Sequence, residues 1–162
     1  MNLRGDTHNY LIGVISDTHG YLHESAKEAF KDVDLIIHAG DIGGEGILKD
    51  LHNIAPLVAV RGNMDHGKWA EKLPQTKEIS AGKLKLVVIH NVLLLNTDLS
   101  QNKNRVVING HTHRAAAGKS KGILFLNPGS ASHPRNGLPP TVVLLKIKGN
   151  SVEPLFINLD DN

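Results

Sequence analysis

Seven side chains able to ligate a metal ion stand in this chain, nearly all just past a short apolar run. Asp17 and His19 follow Leu11-Ile12-Gly13-Val14-Ile15, and Asp41 follows Leu35-Ile36-Ile37-His38-Ala39. Asn63 follows Leu57-Val58-Ala59-Val60, His90 closes the run from Leu84 to Ile89, and His111 and His113 follow Val106-Val107-Ile108. Hard divalent ions take oxygen ligands, and first-row transition ions also accept imidazole, so this mixture suits manganese, iron, nickel or zinc; manganese is the expected ion. Asp17 with His19, and His111 with His113, are spaced i, i+2, which turns both members toward one side of an extended segment. Asp41 has two oxygens and can bridge two ions. One shared ligand among seven gives each of two ions four protein contacts. Two ions about 3.5–4 Å apart can hold a bridging hydroxide and stabilise both the attacking and the leaving oxygen of an in-line displacement. The chemistry implied is cleavage of phosphate esters. Gly20, Gly40, Gly62 and Gly110 flank these ligands, where a side chain would crowd the ions or the phosphate.

The elements that must position these groups can be read from hydrophobic spacing. Strands are expected over 11–15, 34–39 and 57–60, with amphipathic helices over 22–31 and around Ile47, Leu48, Leu51 and Ile54. This β-α-β-α-β order implies parallel strands joined by crossover helices, with functional residues at their carboxyl ends. The second half is strand-rich. A hairpin is expected where 77–80 and 84–89 flank Ala81-Gly82-Lys83, with further strands at 106–108, 123–126, 141–146 and 152–157. A second sheet packed on the first follows. The expected organisation is a flexible tail over residues 1–9 and one domain over 10–158.

The motifs Ser16-Asp17-Thr18-His19-Gly20, His38-Ala39-Gly40-Asp41, Arg61-Gly62-Asn63, His90 and Gly110-His111-Thr112-His113 resemble those of the calcineurin-like metallophosphoesterases. Asn127-Pro128-Gly129-Ser130 and Pro134-Arg135 resemble the small, single-domain phosphodiesterase branch of that family. The resemblance spans about residues 10 to 158. It implies an α/β fold of mixed type, a two-sheet β-sandwich flanked by helices. It implies one ion on Asp17, His19, Asp41 and His113, and another on Asp41, Asn63, His90 and His111. Asp41, Asn63 and His90 would then act catalytically with a metal-held hydroxide on phosphodiesters. Asn127, Ser130 and Arg135 are expected to bind substrate, although a surface role for Arg135 is nearly as good.

Two departures stand out. Many family members carry a proton-donating histidine directly after the metal-binding asparagine, where this chain has Met64. A replacement acid must come from His66 or His133, or the substrate must carry a good leaving group. After His90 the chain reads Asn91-Val92-Leu93-Leu94-Leu95-Asn96 instead of glycine and histidine, so the pocket wall there differs. Rival expectations are a phosphomonoesterase or protein phosphatase on the same site, and a non-catalytic interaction scaffold of the same fold.

Other histidines and acids have plainer expectations. Gly5-Asp6-Thr7-His8 copies the first motif without a preceding strand and is expected to be a decoy. His38 is expected in the core or behind the ligands, and His23 and His52 on helix surfaces. Asp65 is expected to cap the segment His66 to Glu71, with the orienting of a ligand as the alternative. Trp69 with Leu73 is expected to pack a loop, although an exposed aromatic there would offer a base a stacking surface. The chain has 162 residues, 40% apolar and 21% charged, enough for one core. A formal charge of +2 advertises no nucleic-acid partner, so the expected partner is a small-molecule phosphodiester, with homo-oligomerisation left open. Ten histidines exceed packing needs, and the absence of cysteine excludes disulfides and thiolate metal sites. No signal core or membrane-length apolar run occurs, and a cytoplasmic location is expected.

Overall fold

The apolar runs fold into strands whose successive residues face opposite sides. The computed structural model describes residues 2–3, 9–99 and 104–161. In chain order the elements are β1 (Asn2–Leu3), β2 (Asn9–Ile15), α1 (Glu24–Ala29), β3 (Leu35–His38), α2 (Glu45–His52), β4 (Leu57–Ala59), α3 (Lys68–Glu71), β5 (Thr76–Ala81) and β6 (Leu84–Ile89). A 3₁₀ turn at Val92–Leu94 precedes β7 (Arg105–Ile108), β8 (Ala115–Ser120), β9 (Ile123–Pro128), β10 (Thr141–Lys148) and β11 (Ser151–Asn158).

One sheet has the order β11-β10-β2-β3-β4, the other β1-β5-β6-β7-β9-β8. In the first, β2, β3 and β4 run parallel, with β10 antiparallel to β2. In the second, β6, β7 and β9 run parallel, flanked by antiparallel β5 and β8. Ile12, Val14, Leu35 and Ile37 of the first sheet meet Leu86, Val88, Val106 and Ile108 of the second in one buried cluster, which makes a sandwich. The alternate residues Ile15, Ile36 and Val142 face outward and are covered by Phe30, Ile47 and Leu51 from the helical layer. Gly13 lets the Phe30 ring lie against the sheet; a Cβ there would sit 2.7 Å from it. The helices cover this face alone. The other outer face is covered by Val92, Leu95 and Leu99 from the segment after His90.

The mixed α/β sandwich agrees with the expected class. Two local differences have physical causes. Asn2–Leu3 pairs in parallel with Ser80–Ala81, and Asn9 already belongs to β2, so the expected tail is tied down at both places. The decoy Gly5-Asp6-Thr7-His8 lies outside the described residues. β8 reads Ala-Ala-Ala-Gly-Lys-Ser, exposed throughout, and is held by backbone pairing to β9 without any hydrophobic alternation to announce it.

Candidate metal centre

The carboxyl ends of the parallel strands of both sheets open on one edge of the sandwich. Asp17 and His19 follow β2, Asp41 follows β3 and Asn63 follows β4; His90 follows β6, and His111 and His113 follow β7. Five of these seven adopt left-handed backbone: Asp17 (φ 55°), His19 (46°), Asp41 (54°), His111 (71°) and His113 (60°). Such a conformation costs on the order of 1–3 kcal/mol per non-glycine residue and persists only where the surroundings over-determine it. Backbone hydrogen bonds supply that constraint. Asp17 N–H donates to Gly40 C=O at 3.0 Å, His19 N–H to Asp41 C=O at 3.0 Å, and Gly110 N–H to His90 C=O at 3.0 Å. Close approach adds to it. A Cβ on Gly62 would lie 2.1 Å from Asp41 Oδ1, and one on Gly110 would lie 2.0 Å from Ser16 Oγ and 2.6 Å from Asp17 Oδ2. The neighbours these glycines spare are thus the aspartates and Ser16.

The side chains converge with their lone pairs inward. Asp17, Asp41, His90 and His113 are buried, and Asp17, His19, Asp41 and His113 each offer a ligand atom within 4.8 Å of the others. His90 Nδ1 lies 2.8 Å from Ala39 C=O, and His113 Nδ1 lies 2.5 Å from His133 C=O. A carbonyl oxygen accepts only, so Nδ1 carries the proton in both rings and Nε2 of the neutral ring presents a lone pair. His90 Nε2 then faces Asp41 Oδ2 at 3.3 Å, and His113 Nε2 faces Asp17 Oδ1 at 3.1 Å. His19 Nε2 lies 3.4 Å from His113 Nε2 and 3.8 Å from Asp41 Oδ2. Asp17 Oδ1 and His90 Nε2 are buried without a hydrogen-bond partner. Acceptors crowded together this way fit a divalent cation.

The other oxygen of each aspartate is engaged by neighbours. Asp17 Oδ2 accepts from Ser16 Oγ at 2.6 Å and His111 N–H at 3.2 Å; Asp41 Oδ1 accepts from Met64 N–H at 2.8 Å. Burial opposes a charge on His90, but the Asp41 and Asp17 carboxylates outweigh it and raise its pKa. Burial likewise opposes ionisation of Asp41, but His90 and the Met64 N–H outweigh it and lower its pKa. For His19 burial wins and lowers the pKa, against Asp41 and Asp17. Asn63 Oδ1 lies 3.1 Å from His111 Nδ1 on the open side of the cluster, and the His90 and His111 rings meet edge to face at 5.2 Å.

Residues 10–150 match the calcineurin-like phosphoesterase superfamily domain. The chain belongs to that superfamily. It is 34% identical over 155 residues to a probable metallophosphoesterase of Methanothermobacter thermautotrophicus, covering 88% of this chain and 89% of the relative. It is 28% identical over 151 residues to a phosphodiesterase of Methanocaldococcus jannaschii, covering 82% and 91%. Among solved structures, vacuolar protein sorting 29 of Cryptosporidium parvum superposes with a TM-score of 0.78 at 23% identity, over 94% of this chain and 93% of that one. That likeness is one of fold. No helix among the described residues is long and apolar enough to cross a membrane.

Within this calcineurin-like frame several expected roles change. Asn127 and Ser130, expected to bind substrate, have their polar atoms engaged within the protein. Asn127 is buried, its amide donates to Gly110 C=O at 2.8 Å and Thr112 Oγ1 at 3.0 Å, and its oxygen accepts from Gly129 N–H at 2.9 Å. Ser130 Oγ donates to Asp17 C=O at 2.9 Å and accepts from His133 N–H at 2.8 Å. Both are buried and spend their polar atoms shaping the ligand loops. Asp65 caps no helix, because Gly67 stands at the N-cap of α3. Its buried carboxylate instead accepts from Ile42, Gly43 and Gly62 N–H at 2.8, 3.0 and 2.9 Å, tying the loop after β3 to the loop after β4.

His38 is buried behind the cluster, where Gly40 N–H donates to its Nδ1 and Nε2 lies 2.9 Å from Thr18 Oγ1. Of the two candidate acids, His133 lies beside His19 with ring centroids 5.3 Å apart. His66 is exposed and makes no hydrogen bond, ion pair or ring contact among the described residues. Arg135 is exposed two residues past His133. The supporting residues Ser16 and Ser132 were not anticipated. Ser16 sits beside Asp17 in sequence, but its hydroxyl gave no signal apart from that position.

Proposed function

We propose that the chain is a metal-dependent phosphodiesterase. Asp17, His19, Asp41 and His113 would hold one divalent ion, and Asp41, Asn63, His90 and His111 a second. The observation that carries this reading is the pair of buried, unpartnered atoms Asp17 Oδ1 and His90 Nε2, set among acceptors. Bound divalent ions, with manganese expected ahead of iron, nickel or zinc, acidify a water molecule and neutralise charge on the phosphoryl oxygens.

The protein's own part is positioning. Ala39 and His133 carbonyls hold two imidazoles by Nδ1, which aims Nε2 inward and selects the tautomer. Met64 contributes its N–H to Asp41 and has no proton to give. His133 is the better-placed donor, since its Nδ1 contacts Ser132 Oγ at 2.6 Å and its other ring nitrogen is not so engaged. A site with so little acid assistance favours diesters with good leaving groups over alkyl monoesters such as phosphoserine. In a metal-supplemented panel, an aryl diester should be cleaved faster than a phosphoserine peptide, and Asp41→Ala should lose at least a hundredfold in turnover while its circular dichroism is retained. Undiminished activity in that variant would overturn the proposal.

A second reading, a binding platform, is favoured by the exposed apolar side chains Leu93 (87%), Leu94 (73%) and Met64 (58%). Calorimetry with manganese separates the two. Absence of binding at micromolar concentrations would leave only the platform.

A further inference from the structure

A cavity of about 220 Å³ opens beside the half of the cluster formed by Asn63, His90 and His111. That is smaller than the roughly 300–1,000 Å³ of a site for a whole drug-sized ligand, and so suits one arm of a larger substrate. Its far wall is made by Arg61, Gln75 and Thr76, and by the segment after His90, which contributes Asn91 and Leu94. Asn91 accepts the Leu93 N–H through its side-chain oxygen at 3.1 Å, which forms the 3₁₀ turn that brings Leu94 to the cavity.

Arg61 sets the electrostatics. Its backbone N–H is bonded to Pro74 C=O at 2.9 Å, which fixes the residue at the end of β4. Its guanidinium makes no hydrogen bond or ion pair with any described residue, although Arg61 is half-buried. No carboxylate side chain lines the cavity. A guanidinium is charged at every physiological pH and presents five donors in a planar fork that matches a carboxylate or phosphate. Left unpaired and partly desolvated, it attracts an anion more strongly than a fully solvated surface cation does. Gln75, Thr76 and Asn91 add neutral hydrogen-bonding groups, and Ile89 and Leu94 add apolar surface for the body of the arm.

We propose that this cavity receives the ester arm that stays on phosphorus when the other arm leaves, and that Arg61 selects substrates whose retained arm carries a second anionic group, a carboxylate or a phosphate. The inference rests on the phosphodiesterase reading for the chemistry, but not for the binding. Arg61 is a specificity residue and takes no part in bond breaking.

The test uses a matched pair of non-hydrolysable phosphonates, one with a carboxypropyl arm and the other with its methyl ester. Their binding to the manganese-loaded protein is measured by calorimetry. The wild type should bind the carboxylate at least tenfold more tightly, which corresponds to about 1.4 kcal/mol. Arg61→Gln should remove that preference and leave affinity for the ester within twofold, and Arg61→Lys should restore part of it. With the corresponding 4-nitrophenyl diesters, Arg61→Gln should raise KM for the carboxylate substrate by the same factor, with kcat unchanged. Equal loss on both arms would place Arg61 on the reacting phosphoryl group and overturn the proposal, as would absence of any preference in the wild type. If the phosphonate preference holds but neither diester is cleaved, the cavity assignment stands and the phosphodiesterase reading falls.

Discussion

Asp17→Asn should make the metal-free protein more stable and sharply reduce the stabilisation that manganese confers. Asp17 Oδ1 is buried, unpartnered and 3.1 Å from His113 Nε2, which presents a lone pair because its Nδ1–H is bonded to the His133 carbonyl. In the variant, the oxygen keeps the bonds from Ser16 Oγ and His111 N–H, since both are accepted by Oδ2. The new amide group then stands where Oδ1 stood and donates to His113 Nε2. A repulsive contact becomes a hydrogen bond, and a buried charge disappears. Satisfying a buried group is worth about 1–3 kcal/mol. For a chain of this length each kcal/mol moves Tm by roughly 2–4 °C. In EDTA at pH 8 the variant should therefore melt about 2–12 °C above wild type.

With manganese at a hundred times its Kd, the wild type gains about 2.7 kcal/mol by mass action. The variant has lost an anionic ligand and should gain far less, so the gap should narrow or reverse. Differential scanning calorimetry in both buffers reads the comparison directly. A variant that melts more than 3 °C below wild type in EDTA would refute the reasoning. It would mean that Asp17 is stabilised by protonated imidazoles and that the cluster is a self-sufficient ion-pair network.

Two further outcomes follow from the same geometry. Gly62→Ala places a Cβ 2.1 Å from Asp41 Oδ1 and 2.2 Å from Asp41 N, so the Asp41 loop must shift by about 1 Å; overpacking of this kind costs about 1–3 kcal/mol. Manganese affinity should fall at least tenfold by titration calorimetry, and unchanged affinity would show that the Asp41 loop is not held by this contact. His38 is buried and its pKa is lowered to about 3 by burial, with a further contribution from His90. Between pH 6.5 and 3 the unfolded chain binds a proton at His38 that the folded one does not, so stability is fully present above about 6.5 and falls as pH drops. The slope reaches about 1.4 kcal/mol per pH unit, which urea midpoints from pH 7 to 4 would show as a steeper fall in wild type than in His38→Gln; parallel curves would rule His38 out as the buried neutral group.

Much of this was legible in sequence because two signals coincide. The runs Leu11–Ile15, Leu35–Ala39 and Val106–Ile108 are apolar enough to be buried strands, and each stops at residues too polar to continue inward. A chain that ends three parallel strands in carboxylate or imidazole must gather them at one edge, whatever the loops do. Side-chain direction was less legible. Asn127 near the end of β9 and Ser130 just past it have polar side chains, but their atoms are claimed by Gly110, Thr112 and Asp17 backbone or hydroxyl groups. Asp65 precedes a short helix in sequence, yet three N–H groups from two loops reach it first. Those partners are remote in the chain, and no local pattern encodes them. β8 carried no signal because its six residues are exposed and its pairing is purely backbone.

The backbone strain explains why so many remote contacts are needed. Five candidate ligands in left-handed conformation cost on the order of 5–15 kcal/mol together at 1–3 kcal/mol each, comparable to the net stability of a whole domain. A fully buried isoleucine or leucine contributes about 1.5–3 kcal/mol, so the sandwich residues Ile12, Ile37, Leu86 and Ile108 offset a large part of that cost. They do so without determining the loops. The loops are determined by Asp65, Asn127, Ser130 and the glycines that allow close approach. The residues nearest the chemistry are therefore the ones least favoured by local preference. Sequence chemistry identifies them by their functional groups, while their conformations are imposed by partners 20 to more than 100 positions away, as in the bond from Ser130 Oγ to Asp17 C=O. Substitutions at those partners should alter metal affinity before they alter the fold, because the core cluster does not include them.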